Sequence, residues 1–189
     1  NLARITRKKG YTTLNEYWDF KLSNKLKNKF KEFDLIYSAN TLTHISNLED
    51  VFRSIDKVLS EKGILIIEDP SLLECIKKNS YDQFYNEHIY LFSAISVNNL
   101  LKSFSLEIFD INNLETHGGS LRYYIKRKIN NDIKISSNVH NQIKKELKFG
   151  LDKFSTYKNF SKRVINSKKK LLDILKKLKR KNSTIIGYG

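Results

Sequence analysis

Methionine is absent from this chain of 189 residues, and cysteine, proline and tryptophan occur once each. The single cysteine, Cys75, excludes an internal disulfide framework and a cysteine-rich zinc site within the chain. We therefore expect a reducing, cytoplasmic setting. No apolar run approaches the roughly 20 residues that cross a bilayer. The basic start NLARITRKKG is followed by no apolar signal segment, so we expect no membrane partner.

The lack of methionine also leads us to expect an internal segment of a longer protein. The chain starts at Asn1, and Ile185–Gly189 reads like a strand that enters a glycine turn. A length of 189 residues accommodates one ordinary domain together with part of another.

Acidic residues are few, because 35 Lys and Arg stand against 20 Asp and Glu, for a net charge of +15. Residues 144–181 alone hold 15 of the basic residues and three of the acids. Such an excess can indicate a nucleic-acid partner. Here the helical spacing of apolar residues favours the solvated face of a helix, and no stacking platform or recognition motif accompanies the charge. We therefore expect no nucleic-acid partner.

Two apolar runs of strand length lie on either side of an amphipathic helix. Phe33–Ala39 and Gly63–Glu68 suit buried parallel strands, and Asn47–Ser60 has a helical apolar stripe. This order is the βαβ unit of a parallel sheet. Ligands bind beyond the carboxyl ends of such strands. The residues predicted to face this cleft are Asn40, Thr41, His44 and Glu68.

Two further strands, Leu106–Ile111 and Leu121–Ile125, predict an antiparallel pair that makes the sheet mixed. Between them, Thr116–Ser120 (THGGS) contains paired glycines, which permit positive φ and close approach of a ligand to bare backbone. A plain hairpin turn is the alternative. Four further helices are predicted: Leu2–Lys9, ended by Gly10; Phe20–Phe30; Ala94–Ser103 with Ser93 as its N-cap; and Val139–Lys181 with a break near Gly150. Ser71–Gln83 is predicted to be irregular.

The segment Phe84–Ser93 (FYNEHIYLFS) concentrates side chains that can handle protons. Histidine changes charge near neutral pH, so His88 is a candidate general base. Glu87 and Tyr85 are near enough in sequence to orient it or to share its work. The alternative is a structural loop whose histidine is satisfied by backbone.

Five motifs, taken in order, resemble one enzyme family. They are FDLIYSANTLTHI at 33–45, GILIIEDP at 63–70, YNEHIYLFS at 85–93, HGGSLR at 117–122 and GYG at 187–189. Together they look like the S-adenosylmethionine-dependent sugar C-methyltransferases, which act on nucleotide-linked keto-deoxysugars. The specific part is YxEH, followed about 30 residues later by HGGSLR and then by a long helix and GYG.

The resemblance implies an α/β fold: a class I methyltransferase domain with an incomplete Rossmann-like mixed sheet. It implies the C-terminal part of that domain at residues 1–128, a basic helical linker at 129–182, and the first strand of a second Rossmann-like domain at 183–189. It also implies that the glycine-rich cofactor loop and a zinc-binding region lie outside the chain. We therefore expect S-adenosylmethionine as cofactor, no metal site within these residues, and no catalysis by this segment alone.

The implied chemistry removes a proton beside a ketone, and the resulting enolate attacks the cofactor's methyl group. His88 fits the base, as the resemblance also implies. From side-chain chemistry, we expect Glu87 to orient the imidazole or to stabilise its protonated form, and Tyr85 to donate to the enolate oxygen. Asn86 stands where many relatives are expected to carry histidine, which leaves the exact substrate and acid–base pairing open.

The resemblance also assigns binding residues. The implied substrate-binding residues are His117, Gly118, Gly119, Ser120 and Arg122, of which Arg122 would pair with the diphosphate. The implied cofactor-binding residues are Ala39, Asn40 and His44. Structural alternatives exist for three residues: His44 could bond a carbonyl at a helix start, Glu68 could be structural, and Arg122 could face solvent.

Two other functions stay open. One is a class I methyltransferase with an oxygen or nitrogen acceptor, and the other is a non-catalytic binding module whose basic helix meets an acidic partner. The sequence leaves open which sugar and which carbon would be methylated, and the oligomeric state.

Overall fold

A four-stranded sheet organises the computed structural model, which describes residues 2–188. Its strands are β1 (Phe33–Ala39), β2 (Leu59–Pro70), β3 (Leu106–Leu114) and β4 (Ser120–Arg127), in the order β1-β2-β4-β3. Strands β1 and β2 run parallel, and β4 runs antiparallel to both β2 and β3. The predicted α/β fold with a mixed sheet is confirmed.

The helices within residues 2–188 begin and end close to the predicted positions, with one addition. They are α1 (Leu2–Lys8), α2 (Phe20–Phe30), α3 (Leu48–Val58), α4 (Leu72–Lys78), α5 (Ala94–Leu101), α6 (Ser137–Phe149) and α7 (Phe154–Arg180). Ser93 forms a capping box with Ser96 at the start of α5, as its sequence position predicts. Gly150, at φ +87°, ends α6 in the left-handed conformation and separates it from α7.

The main core lies between one face of the sheet and helices α3, α5 and α6. Alternate residues of the central strands point into it, and Leu65, Ile67, Tyr123 and Ile125 are each at most 2% exposed. Each fully buried apolar side chain of this size contributes roughly 1.5–3 kcal/mol. On the opposite face, Tyr37 of β1 is 56% exposed, so the sheet is covered unequally on its two faces.

A buried carboxylate joins α6 to α5. Glu146 is fully buried and accepts hydrogen bonds from the backbone N–H groups of Ala94 (2.9 Å) and Ile95 (3.0 Å) at the start of α5. The Gln142 side chain donates a third bond to it, at 2.9 Å. A negative charge at a helix N-terminus satisfies free N–H groups and opposes the positive end of the helix dipole. One acid of the basic segment is therefore a structural anchor.

Helix α4 corrects the prediction of an irregular stretch at Ser71–Gln83. Its first turn is capped by Ser71, whose Oγ accepts from the backbone N–H of Glu74 at 3.4 Å. Ser71 and Glu74 form the Ser-x-x-Glu pattern of a helix start, directly before apolar residues. The Ser71–Glu74 pattern therefore indicates a helix start within the stretch that was predicted to be irregular.

The last residues differ from the predicted strand at Thr184–Gly189. Residues 183–188 adopt no helix or strand, and Gly189 lies outside the described residues. A strand is stable when a neighbouring strand pairs with its backbone, and 184–188 have no such neighbour within the described chain. Across residues 2–188, no helix combines the length and apolar character that a membrane crossing requires.

Candidate active site

One edge of the sheet gathers most of the predicted site residues. β1 and β2 both end there, and β4 begins there, because Ser120 pairs with Pro70. Phe92, from the segment that carries His88, forms a β-bridge with Ser71 beside that edge. This is the edge at which parallel sheets bind ligands.

The loop that carries Tyr85 and His88 is tied to a 3-10 turn, Leu42–His44, which follows β1. The Thr43 carbonyl accepts from the backbone N–H groups of Ile89 (2.9 Å) and Tyr90 (3.3 Å). The Thr43 hydroxyl donates to the Tyr90 carbonyl. Thr43, which is 1% exposed, therefore fixes the loop against the strand end.

A chain of two hydrogen bonds defines the state of His88. Its Nδ1 lies 2.8 Å from the Gln83 carbonyl oxygen, and its Nε2 lies 2.7 Å from the Tyr85 hydroxyl. A carbonyl oxygen only accepts, so Nδ1 carries a proton and donates it. In the neutral ring, Nε2 is then the acceptor and Tyr85 O–H is its donor. Tyr85 is 46% exposed and His88 is half-buried behind it.

His44 completes a cluster of three rings. Its ring centroid lies 5.0 Å from that of His88, while the rings of Tyr85 and His88 are 4.0 Å apart. His44 Nδ1 donates to the Glu87 carbonyl at 2.8 Å. The Glu87 carboxylate makes no hydrogen bond or salt bridge within residues 2–188. The orienting contact predicted for Glu87 is made instead by the Gln83 carbonyl, which side-chain spacing does not reveal.

An apolar cavity of about 260 Å³ opens beside the end of β1. Its lining includes Trp18, Ile36, Ala39, Thr41, Leu42 and Ile45. Trp18 is held in place by a 3.4 Å hydrogen bond from its Nε1 to the Val51 carbonyl. The cavity includes the predicted cofactor residue Ala39. Trp18 was not predicted, although it is the single tryptophan of the chain.

Asn40 turns the chain sharply at the end of β1. It adopts a positive φ of +50°, and its N–H donates to the Glu68 carbonyl at 2.7 Å. Its side-chain Oδ1 is shielded from solvent and has no hydrogen-bond partner among the described residues. Buried acceptors normally have partners, so the unpaired oxygen is an exception at the end of β1.

Asp69, at the end of β2, is a second buried acceptor. It is 1% exposed, and neither carboxylate oxygen has a well-aligned hydrogen-bond donor within residues 2–188. Burial raises the pKa of Asp69 to about 7; the nearby Thr43 amide opposes this rise, and the Glu68 charge adds to it. Within the described chain, no group of three or more His, Cys, Asp and Glu side chains could hold a metal ion.

The paired-glycine turn packs against α4. Gly119, at φ +130°, lies so close to Glu74 that an added Cβ would meet the Glu74 Cβ at 2.8 Å. Its carbonyl accepts from the Ser71 N–H at 3.0 Å. Gly118, at φ +80°, faces open space, where an added Cβ would meet nothing within 4 Å. Close backbone approach at Gly119 thus serves helix packing, while Gly118 and its neighbour His117 are exposed.

Arg122 and Ser120 have partners within the protein. The Arg122 guanidinium donates twice to one Glu68 carboxylate oxygen, at 2.8 Å and 3.0 Å. Tyr37 donates to the same oxygen at 3.2 Å. Ser120 is buried, and its hydroxyl donates to the Thr116 carbonyl at 3.0 Å. A substrate diphosphate would have to compete with Glu68 for Arg122, and Ser120 serves the turn itself.

The comparison with protein families gives this geometry a context. A family model described as a methyltransferase domain matches residues 3–110, more than half of the chain. The chain belongs to the methyltransferase family. A second model, described as the C-methyltransferase C-terminal domain, matches residues 115–189. The two matches confirm the resemblance to C-methyltransferases that the motif order indicated.

Individual relatives of this methyltransferase family member are distant. C-methyltransferase NovU of Streptomyces niveus is 23% identical over all 189 residues, which span 45% of that protein. A S-adenosylmethionine-dependent methyltransferase from Clostridium acetobutylicum ATCC 824 has a TM-score of 0.47 at 18% identity, covering 66% of this chain and 68% of that one. Magnesium protoporphyrin IX methyltransferase from Synechocystis PCC 6803, with bound SAH, has a TM-score of 0.39 at 15% identity, covering 51% and 45%. At these values neither solved structure bears on the assignment.

Proposed function

We propose that the protein acts as a S-adenosylmethionine-dependent C-methyltransferase on a keto-deoxysugar linked to a nucleoside diphosphate. The observation that carries the proposal is the hydrogen-bonded Tyr85–His88 pair, which lies beside His44 at the ligand-binding edge of the sheet. Methylation of carbon requires a base that removes a proton from the carbon beside the ketone. An amine already carries a lone pair that can attack the methyl group, so its methylation needs no such base. The sugar class rests on the motif resemblance.

The apolar cavity beside β1 is the proposed place for the adenine end of S-adenosylmethionine. Trp18 and Ala39 supply apolar walls of the kind that bury an adenine ring. Asn40, predicted as a cofactor residue, follows Ala39 directly but does not line the cavity. His44, predicted as a cofactor residue, lies in the turn that follows. When bound, the cofactor supplies an electrophilic methyl group.

The hydrogen-bond chain supports a proton path through Tyr85 and His88. The Tyr85 hydroxyl donates to His88 Nε2, and Tyr85 is the more exposed of the two, so its oxygen is proposed to face the substrate. As the C–H bond beside the ketone breaks, its proton passes to Tyr85 Oη, and the phenol proton passes to His88 Nε2. The substrate becomes an enolate and His88 an imidazolium that donates to Tyr85 and to the Gln83 carbonyl. His88 is the final proton acceptor in this relay, as expected, whereas Tyr85 takes the proton from carbon in place of the expected donation to the enolate oxygen.

Substrate binding falls to the exposed part of the paired-glycine turn. His117 and Gly118 are proposed to hold the sugar, since both are exposed at the same sheet edge, although the Gly118 carbonyl already accepts from the Lys78 ammonium. Arg122 can pair with the diphosphate if Glu68 releases it. A cytoplasmic location is part of this proposal, because the single cysteine, Cys75, is a buried free thiol.

The test uses the full-length protein, cofactor with a ¹³C-labelled methyl group and a nucleoside-diphosphate keto-deoxysugar. We expect a new methyl carbon bonded to carbon in the NMR spectrum of the product. The control omits the keto group by using the matching deoxysugar alcohol, which cannot form an enolate. A methyl group bonded to oxygen, or transfer to the alcohol at the same rate, contradicts the proposal.

A further inference from the structure

The basic helix α7 contacts the loop of the candidate active site. The Phe160 ring lies 5.6 Å from the Phe84 ring, centroid to centroid. Phe160 also packs against a small core formed by Leu73, Ile76 and Leu151. Phe84 directly precedes Tyr85, so this contact touches the loop next to the Tyr85–His88 pair.

Phe84 also determines where the Gln83 carbonyl points. The carbonyl that accepts from His88 Nδ1 belongs to the peptide bond between Gln83 and Phe84. A planar peptide moves as a unit, so a rotation of the Phe84 backbone swings the Gln83 oxygen away from His88. The Phe160 contact therefore holds the group that orients the His88 ring.

Arg163, one turn further along α7, holds the other side of the loop. Its Nη2 donates to the Ile76 carbonyl at 2.5 Å, and its Nη1 lies 3.5 Å from the Lys77 carbonyl. These carbonyls belong to the last turn of α4, where the Ile76 carbonyl also accepts from the backbone N–H of Asn79 at 3.3 Å. The guanidinium also lies 5.7 Å from the Phe160 ring. Arg163 thus pins the point at which the chain leaves α4 for the loop.

Besides its hydrogen bonds to Thr43 and His44, the loop buries few of its own side chains. Phe84, Tyr85 and Ile89 are 50%, 46% and 48% exposed. Segments with few buried contacts open at low cost in free energy. A shift of about 1 Å in a catalytic group can lower turnover roughly a hundredfold. We therefore expect loss of the Phe160 and Arg163 contacts to lower turnover.

We propose that Phe160 and Arg163 are positioning residues that hold the Tyr85–His88 pair in its reactive arrangement. This inference rests on the proposed function for its kinetic consequence, but not for its structural one. The remainder of α7 is differently placed, because its apolar side chains Ile165 and Ile174 are 62% and 56% exposed. The supporting contacts are those of the helix's first turns.

The experiment compares Phe160→Ala, Phe160→Tyr, Arg163→Gln and the control Lys162→Ala in the full-length protein. Lys162 is an exposed neighbour on the same helix. We expect Phe160→Ala to lower kcat at least tenfold with cofactor KM within about twofold, and Arg163→Gln to lower kcat about threefold or more. Phe160→Tyr, which keeps the ring, restores kcat, and Lys162→Ala leaves it unchanged.

A second readout needs no turnover. In protein labelled with ¹⁵N-histidine, the proton on His88 Nδ1 gives a distinct signal while it is bonded to Gln83, and His88→Gln assigns that signal. We expect Phe160→Ala to weaken it; Phe160→Leu takes its place if the alanine variant is unfolded in a thermal melt. If Phe160→Ala and Phe160→Leu both keep the wild-type kcat and an unchanged His88 Nδ1 signal, the inference is overturned. Absence of turnover in the wild type contradicts the proposed function, while the signal still decides the inference.

Discussion

At the scale of single residues, the Tyr85–His88 pair differs from what side-chain chemistry alone predicts, which is that the histidine meets the substrate directly. Histidine is the usual general base, yet its Nε2 here already accepts from the Tyr85 hydroxyl. In the proposed relay, Tyr85 is the outer group and His88 receives its proton. Asn86, between Tyr85 and Glu87, is exposed and makes no described side-chain hydrogen bond, so the proposed relay does not include it.

We predict that Tyr85→Phe and His88→Ala each lower turnover at least about a hundredfold, the usual scale for loss of a general base. Cofactor affinity should stay within about twofold, because neither side chain lines the cavity beside β1. Steady-state kinetics and calorimetric titration of the cofactor on the full-length protein measure the two effects. Tyr81→Phe, in the same loop, is the matched control and should retain activity. Turnover near the wild-type value in Tyr85→Phe would remove Tyr85 from the mechanism.

The sequence predicted which side chains form the site better than it predicted the groups that they contact. His88, Tyr85 and His44 were predicted from local spacing and motif order, and the structure brings them together. The Gln83 carbonyl could not be predicted, because every residue has a carbonyl and only the folded backbone aims one. Trp18 lies far from the motifs along the chain and reaches the cavity through tertiary packing.

At the scale of elements, Glu146 shows how one side chain joins two helices. It satisfies two N–H groups at the start of α5 from its own position on α6. α5 begins immediately after the loop that bears Tyr85 and His88. The position of α6 is thereby linked to the end of the candidate active-site loop.

We predict that Glu146→Ala lowers the free energy of unfolding by about 2–4 kcal/mol, because it leaves buried N–H groups and the Gln142 side chain without a partner. Urea denaturation followed by circular dichroism measures the change. Glu115→Ala, which removes an exposed acid in the turn before Thr116, is the control and should change stability by less than about 0.5 kcal/mol. An equal, small effect for both variants would show that Glu146 does not anchor α5.

Elements also differ in how far the sequence predicts them. The strands and α3 follow from apolar runs and stripes, and Ser93 marks the start of α5. Helix α4 was missed because its seven residues are too few to show a clear period, although its Ser71–Glu74 cap was visible. Residues 184–188 have strand-like composition, but a strand depends on a partner that local sequence does not specify.

At the scale of the whole molecule, Asp69 makes stability depend on pH. Its pKa is raised from 3.8 to about 7 in the folded protein, chiefly by burial. The folded state therefore binds the proton more tightly than the unfolded chain. The stabilisation from this group is complete below about pH 4 and is lost as pH rises through 7.

We predict that Asp69→Asn removes this dependence. Between pH 5 and pH 8 the wild type should lose about 2–3 kcal/mol more of its unfolding free energy than the variant, at about 1.4 kcal/mol per pKa unit. Urea denaturation at both pH values tests this, with Asp173→Asn on the exposed face of α7 as the control. Parallel pH profiles for wild type and Asp69→Asn would show that Asp69 does not titrate in this range.

The central claim is that the Tyr85–His88 pair removes a proton from carbon, and solvent exchange measures that step directly. The full-length protein is incubated with the nucleoside-diphosphate keto-deoxysugar in D₂O. We predict deuterium at the carbon beside the ketone with the wild type, at least about a hundredfold slower exchange with Tyr85→Phe, and wild-type exchange with Tyr81→Phe. Carbon methylation by a wild type that washes in no deuterium, or equal exchange in Tyr85→Phe, would contradict the relay.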